Sequence, residues 1–417
     1  MKSSEKPLIV LSLQFYCFPD EMGGAWKLTY EVNKRLVQKG HKVLQITCKP
    51  DDSLPNFEII DGIEYYRIGS RESKGLISLI KGVGRVYDQI LKKYKVDIIH
   101  IHNPLVDFVS LFNLKLWKIP RIYHFHSLWF DEERINIFGF QNYSKVSLLD
   151  FKLFFRLSII ASIEWTCFAF SKRFVFLSSY TKNRFQSFFP FKKKRLSVIP
   201  GGVDLKAFRP KAADLSQKEC RLRLGIPVET NMFLTVRRLE SRMGLQNLIQ
   251  AFQLISQKNT ELEFFLTIVG KGSLKEVLQK QIDDYGMRDQ IKLAGRVAED
   301  DLAYYYGAAD LFILPTLAIE GFGLATVEAL ASGLPVFGTP VGGTTEILEN
   351  IDPRLVFKNS SPEAMSEQIQ DFLKNPAPIL ALKNCCRDEA EKKYDWGLSV
   401  NRLEKMFYET LDEKTLV

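Results

Sequence analysis

Glu320 and Glu328 stand eight residues apart within LFILPTLAIEGFGLATVEALASGLPVFGTPVGGTTEIL, residues 311–348. An apolar run ends at Pro315. A loop holding Glu320, Gly321 and Gly323 follows, and a helix is expected to begin at Leu324 or Ala325. A glycine-bearing strand-to-helix turn directs unpaired backbone N–H groups and the positive end of the helix at one point, which suits a phosphate. Carboxylates beside such a point accept sugar hydroxyls, as the acidic residue of a dinucleotide fold does for ribose. By spacing alone, Glu328 is equally a solvated helix residue and Glu320 a turn residue.

A second anion-facing element is TVRRLESRMG, residues 235–244, where Arg237, Arg238 and Arg242 follow a strand. Guanidinium forks match diphosphate oxygens, and α/β proteins bind ligands at strand ends. VGKGSLKE, residues 269–276, carries GxG without the third glycine of a dinucleotide fingerprint. VGGTTEI, residues 341–347, is another strand-to-helix turn. Four such turns at one sheet edge argue together for a nucleotide-diphosphate site. Gly23 and Gly24, in PDEMGGAW, open the first helix and permit close approach of a ligand. HIH (His100, His102) and HFH (His124, His126) each place two imidazoles on one face of a strand. Two such pairs could make a four-histidine metal site, but no cysteine or carboxylate motif accompanies them, and no metal is assigned.

These residues need a scaffold. With 417 residues, 46% hydrophobic and 25% charged, the composition excludes disorder, collagen and coiled coil, and the length exceeds one core. Short β-branched runs (LIVLSLQF, KVLQITC, VDIIHIH, RIYHFH, RFVFLSS, LSVIP, then MFLTVRR, EFFLTIVG, IKLAG, LFILPT, PVFGT) alternate with amphipathic segments. That pattern predicts an α/β fold with parallel sheets, covered by helices, in two Rossmann-like domains. IPGGVDLKAFRP, residues 199–210, suits the join, giving domains at 1–204 and 205–392 and a last helix in 393–417. In that helix Trp396, Val400, Leu403 and Phe407 form one stripe, and between Ala25 and Lys39 so do Leu28, Val32 and Leu36.

The net charge of +8 is uneven: 31 basic and 19 acidic residues up to Leu205, then 26 and 30. Basic runs (RESKGLISLIKGVGR, LKKYK, SKR, FKKKR) near apolar side chains suit an anionic membrane surface, and no nucleic-acid motif accompanies them. Six cysteines without a CxxC pair suit a reducing cytoplasm. The N-terminal apolar run reads as a buried strand rather than a signal peptide. Leu157 to Phe170 is apolar but, at 14 residues with Glu164 inside, is expected to be too short to span a bilayer.

With EGFGLATVE followed by EALASGLPVFGTPVGG, the chain resembles the retaining glycosyltransferases of family 4, also called group 1 glycosyltransferases. MGGAWKLTYEVNKRLVQKGHKV, YHFHSLWFDE, IPGGVD, RRLESRMGLQNLIQAF, VGKGSL and AADLFILPT extend the resemblance over most of the chain. It implies the GT-B architecture, two Rossmann-like domains facing across a cleft, with the last helix crossing back to the first domain. It implies transfer of a hexose, with retention, from a UDP- or GDP-linked sugar to a carbohydrate or lipid-linked acceptor in polysaccharide, lipopolysaccharide or glycolipid synthesis. The setting implied is cytoplasmic, at the inner membrane face, without a cofactor.

Glu328 matches the glutamate that holds the ribose, Glu320 the one that contacts the donor sugar, and the backbone of Gly321, Phe322, Gly323, Leu324 and Ala325 would meet sugar and diphosphate. Arg238 matches the arginine of GR-x4-KG, which neutralises the leaving diphosphate. Met243 occupies the lysine position, leaving Arg242 or Lys271 to replace that cation. His126 matches a strand-end histidine near the donor, although Ser127 follows it where Gly or Asp is usual. The implied catalytic set is His126, Glu320 and Arg238, with Gly23 and Gly24 near the phosphate or acceptor. No DxD triplet occurs, in keeping with a metal-independent site. Alternatives are a phosphorylase or epimerase of the same architecture, or a non-catalytic nucleotide-sugar binder. An oxidoreductase would need a complete GxGxxG, which MGGAWK lacks.

Overall fold

The computed structural model describes residues 6–21, 23–69, 76–138, 151–189, 195–210, 214–259 and 261–415. Met22 of PDEMGGAW, and Arg71, Lys74 and Lys192 to Lys194 of the basic runs, lie outside the described residues. The chain divides into two compact units. Met1–Arg134, Val146–Pro200 and Trp396–Val417 belong to the first, and Ile135–Lys145 and Gly201–Asp395 to the second. The joins expected at 204/205 and 392/393 thus fall at 200/201 and 395/396.

The first unit is built on eight strands: β1 (Ile9–Leu13), β2 (Lys42–Cys48), β3 (Phe57–Ile60), β4 (Ile63–Ile68), β5 (Ile98–Ile101), β6 (Arg121–Phe125), β7 (Arg173–Phe176) and β8 (Arg195–Val198). Their order is β3-β4-β2-β1-β5-β6-β7-β8, parallel except for the β3–β4 hairpin. That hairpin is absent from the sequence reading. Its turn is Asp61-Gly62 with φ of 47° and 78°, the Asp-Gly pair that a two-residue type I′ turn requires. Strands β5 and β6 are buried along their whole length, as strands covered on both faces must be.

Helix Gly24–Gln38 buries Leu28, Val32 and Leu36 as its stripe predicts, and Gly40, at φ 93°, follows its end. The last helix, Trp396–Thr415, packs within the first unit with Trp396, Val400, Leu403 and Phe407 buried. Glu404 meets Lys39 at 2.9 Å and His41 at 2.8 Å, while Arg173 reaches Glu409 at 2.9 Å and Glu413 at 2.6 Å.

One expectation needs correction. The apolar helix runs from Phe151 to Phe170, 20 residues, and its segment Leu153–Phe170 is long and apolar enough to cross a membrane by length and composition. The sequence expectation starts it only at Leu157, after Arg156. A single arginine does not end a helix, and Phe154 and Phe155 extend the apolar run. One face, with Leu157, Ile160, Ile163, Cys167 and Phe168, is buried. The other exposes Phe154, Phe155, Ile159, Trp165 and Phe170.

The second unit carries β9 (Asn231–Val236), β10 (Phe264–Val269), β11 (Ile291–Gly295), β12 (Leu311–Leu314) and β13 (Val336–Gly338). They form one parallel sheet in the order β11-β10-β9-β12-β13. The described cysteines are all free thiols.

Candidate functional site

The second unit gathers its polar groups where β9 and β12 end. After β12 the chain passes Thr316 and Glu320 and enters helix Leu324–Ala331 through Gly323, whose φ of 92° no other residue adopts without strain. A Cβ at Gly323 would lie 2.5 Å from the Thr344 hydroxyl, so the turn is also too crowded for a side chain. The first-turn N–H groups, those of Leu324 and Ala325, precede the helix's own hydrogen bonds and remain donors for an anion.

Glu320 sits at the centre of this loop. One carboxylate oxygen accepts from Arg237 Nη1 at 2.7 Å and from the Thr316 hydroxyl at 3.0 Å. Burial, the largest single influence, opposes its ionisation, but Arg237, Arg242 and the Thr316 hydroxyl together hold the Glu320 carboxyl below the ordinary carboxylate range. The backbone is fixed as well. Gly343 N–H donates to the Glu320 carbonyl at 2.9 Å, and Arg242 Nη1 donates to the Ile319 carbonyl at 2.7 Å. Ile319 has φ of 54°, an unfavourable conformation for a β-branched residue, and the Arg242 bond helps hold it.

Glu328 lies inside helix Leu324–Ala331 and is buried. Tyr306 donates its hydroxyl to Glu328 Oε2 at 2.9 Å, orienting the carboxylate from a neighbouring helix. Burial, and then the Glu328 charge, push the Tyr306 hydroxyl far above its ordinary pKa, so it stays a donor.

The cations are arranged differently from the sequence expectation. Arg238 is exposed, and so is Lys271. Arg242 is occupied with the backbone carbonyls of Ala318 and Ile319, so it braces the loop. Arg237, which the family pattern does not single out, reaches Glu320 with one nitrogen and the Met243 sulfur with another. Its guanidinium therefore lies against the side chain that stands where the lysine is missing. The signal is in the sequence: GR-x4-KG has glycine at position 237, and this chain has arginine there.

The remaining glycine loops serve packing. A Cβ on Gly270 would fall 1.8 Å from the Arg237 carbonyl oxygen, and one on Gly272 would fall 2.4 Å from that of Leu239. The weak GxG of VGKGSL thus lets this loop lie against the backbone carrying Arg237. Gly342 stands in the same relation to the Glu320 carbonyl oxygen, at 2.0 Å.

In the first unit, Gly23 precedes helix Gly24–Gln38, and its Cβ would meet the Trp26 ring at 2.8 Å. His126 follows β6 and is half-buried, with Nε2 3.1 Å from His102 Nδ1. Burial pushes the His126 imidazole down to about 4, against the opposing charge of Glu132. His100 and His124 join the same cluster, so the two HxH pairs form one group. His41 lies apart, accepting from the Leu8 N–H at 3.1 Å and meeting Glu404.

The family described as glycosyl transferases group 1 matches residues 216–393, and that described as glycosyltransferase family 4 matches residues 22–207. The chain is 30% identical over 234 residues to a GDP-mannose-dependent alpha-(1-6)-phosphatidylinositol monomannoside mannosyltransferase of Mycobacterium tuberculosis, a match covering 55% of this chain and 59% of the relative. The match therefore spans about three fifths of that relative's length. It is 26% identical to an uncharacterized glycosyltransferase of Methanocaldococcus jannaschii, over 87% of this chain and 88% of the other. Its fold is similar to that of a sucrose-phosphate synthase from Thermosynechococcus elongatus, with a TM-score of 0.80 at 21% identity, covering 97% of this chain and all of the other. With both halves matched and a GT-B fold, the chain belongs to the group 1 glycosyltransferases, its amino-terminal half being of the family 4 type.

Proposed function

We propose that this protein transfers a hexose from a nucleotide diphosphate sugar to an acceptor hydroxyl, with retention of anomeric configuration. The observation that carries the proposal is the set Glu320, Arg237, Thr316 and Glu328 around the open first turn of helix Leu324–Ala331. Glu328, held by Tyr306, accepts the ribose hydroxyls. Glu320 accepts from the donor sugar. Backbone from Gly321 to Ala325 meets sugar and diphosphate.

Arg237 takes the place of the cation missing at Met243, and Arg238 adds a second charge as the diphosphate leaves. Preorganised cations and N–H groups, aimed where charge develops, lower the barrier because they need no reorientation as the bond breaks. They act here without a divalent ion at the diphosphate, so added magnesium is expected to leave the rate unchanged. The departing phosphate takes the acceptor proton on the same face as the new bond.

The acceptor is a carbohydrate or lipid-linked glycan at the cytoplasmic membrane face. Helix Phe151–Phe170 supports this. Its exposed face carries Phe154, Phe155, Ile159, Trp165 and Phe170, and Trp117 packs on Phe170 with ring centroids 5.2 Å apart. Ser158, Ser162 and Thr166 on that helix donate their hydroxyls to backbone carbonyls four residues back, so they present little polarity outward. Exposed Lys115 and Lys118 flank Trp117 in sequence, exposed Lys172 follows the helix, and all three suit anionic headgroups. An apolar face with a basic rim lies in the plane of a membrane interface.

A melting screen against UDP-, GDP- and ADP-sugars identifies the donor, since a bound ligand raises the melting temperature. Transfer is then assayed with the matching donor. Full activity in a Glu320→Ala, Glu328→Ala double variant would refute the site. Failure to sediment with anionic liposomes at low salt would remove the membrane.

A further inference from the structure

The first unit carries a constellation of which only His126 enters the expected catalytic set. His100 on β5, with His102 just after it, and His124 on β6, with His126 just after it, lie on adjacent parallel strands. The register that pairs Ile101 with Tyr123 brings the two HxH pairs side by side. His102 Nε2 is 3.2 Å from His100 Nδ1, and His100 Nε2 is 3.3 Å from His124 Nδ1. One nitrogen from each of His100, His102 and His124 lies within 4.8 Å of the other two. His124 and His126 stack with parallel rings 5.1 Å apart.

Two features bear on what this group could bind. First, its hydrogen bonding does not close. The three imidazole contacts leave His124 Nε2 buried with no hydrogen-bond partner among the described residues. A buried polar atom without a partner is costly, and an imidazole nitrogen in that state is able to take a metal ion. Second, the spacing fits a metal. A tetrahedral zinc ion with Zn–N of about 2.0–2.1 Å holds its ligand nitrogens about 3.3–3.4 Å apart. The two short contacts use opposite nitrogens of His100, so the three donor nitrogens, which lie within 4.8 Å of one another, close on a single centre only when the rings turn. Phe407 of the last helix closes one side, edge-on to His100 at 5.3 Å.

We propose that His100, His102 and His124 bind one divalent transition metal ion of the zinc class, with His126 at the open end of the site. The donor set selects the ion. Imidazole nitrogens suit zinc, cobalt, nickel and copper, whereas magnesium and calcium demand oxygen. The site lies wholly in the first unit and takes no part in meeting the diphosphate. Its ion ties β5 to β6 and fixes the His102 ring, which in turn positions His126 through their 3.1 Å contact.

The test uses the full chain, purified without a histidine tag and stripped with chelator. Cobalt(II) is titrated in and the visible d–d absorption followed, and zinc retained after desalting is measured by elemental analysis. The expected result is one equivalent of metal with the strong absorption of a four-coordinate site. It should be lost in His100→Gln and His124→Gln and kept in His41→Gln, whose ring lies outside the cluster. Zinc should also raise the melting temperature of the unsubstituted chain, a readout that stands even if a variant fails to fold. A featureless cobalt titration with no zinc retained by the unsubstituted chain overturns the proposal, whatever the transferase assay shows. Metal kept in both cluster variants overturns it as well.

Discussion

Arg237 and Arg238 are neighbours with opposite environments. One guanidinium pairs with Glu320 in a nearly enclosed site, with side-chain exposures of 8% and 12%, while the other side chain is exposed. Removing one partner of an enclosed pair strands the other charge, at a cost of about 3–5 kcal/mol. Arg237→Gly should therefore lower turnover by roughly 10²–10³, the usual loss for one charge-stabilising donor. Adding Met243→Lys to that variant restores a glycine and a lysine to the GR-x4-KG positions and should recover part of the lost rate. Steady-state kinetics of both variants check this. Glu328→Ala should mainly weaken nucleotide binding and Glu320→Ala mainly lower turnover, separable by titration against single-turnover rates.

Glu164 gives a pH prediction. Buried within helix Phe151–Phe170, it accepts from the Trp129 N–H at 2.7 Å and the Phe130 N–H at 3.2 Å. Burial outweighs these bonds and pushes its carboxyl up to about 8, from an ordinary 4.5. The folded chain then holds a proton that the unfolded chain releases, so this group's contribution falls as pH rises from about 4.5 to about 8. Denaturant melts across that window should show the unsubstituted chain losing stability relative to Glu164→Gln.

Among the elements, the loop from Pro315 to helix Leu324–Ala331 is the one whose shape is dictated by its neighbours. The turn after β13 abuts it through Gly342, at φ 74°. Gly342→Ala adds strain of about 1–3 kcal/mol and drives a methyl against the Glu320 carbonyl. Nucleotide affinity should fall, as titration calorimetry would measure. Gly40→Ala is the matched control. It has φ 93° but nothing within 4 Å of a Cβ, so it should cost about 1 kcal/mol of stability and leave affinity unchanged. The start of helix Leu324–Ala331 is legible in the sequence because glycine punctuation and apolar periodicity are local signals. The β3–β4 hairpin is not read there despite the Asp61-Gly62 turn, since neither flanking run stands out as a strand until the two are paired.

Across the whole molecule, the last helix returns to the first unit, although about 195 residues of the second unit separate it from Pro200. Its stripe of Trp396, Val400, Leu403 and Phe407 is sealed there, and Arg173 binds its far end. Ending the chain at Asp395 uncovers that apolar surface, worth about 25 cal/mol per Å². Hydrogen exchange should show protection lost in β1 and β5 while β9 and β12 stay protected. The sequence by itself determined the α/β class, the two-part organisation, the family and the Glu320–Glu328 loop, because each is written in contiguous residues with a fixed period or spacing. Tertiary structure decided which arginine meets Glu320, that Arg242 braces a backbone, and that four histidines form one cluster. Adjacent residues on an extended chain point to opposite sides, so spacing does not choose between Arg237 and Arg238. Strand register, set by packing distant in sequence, is what brings His102 beside His124.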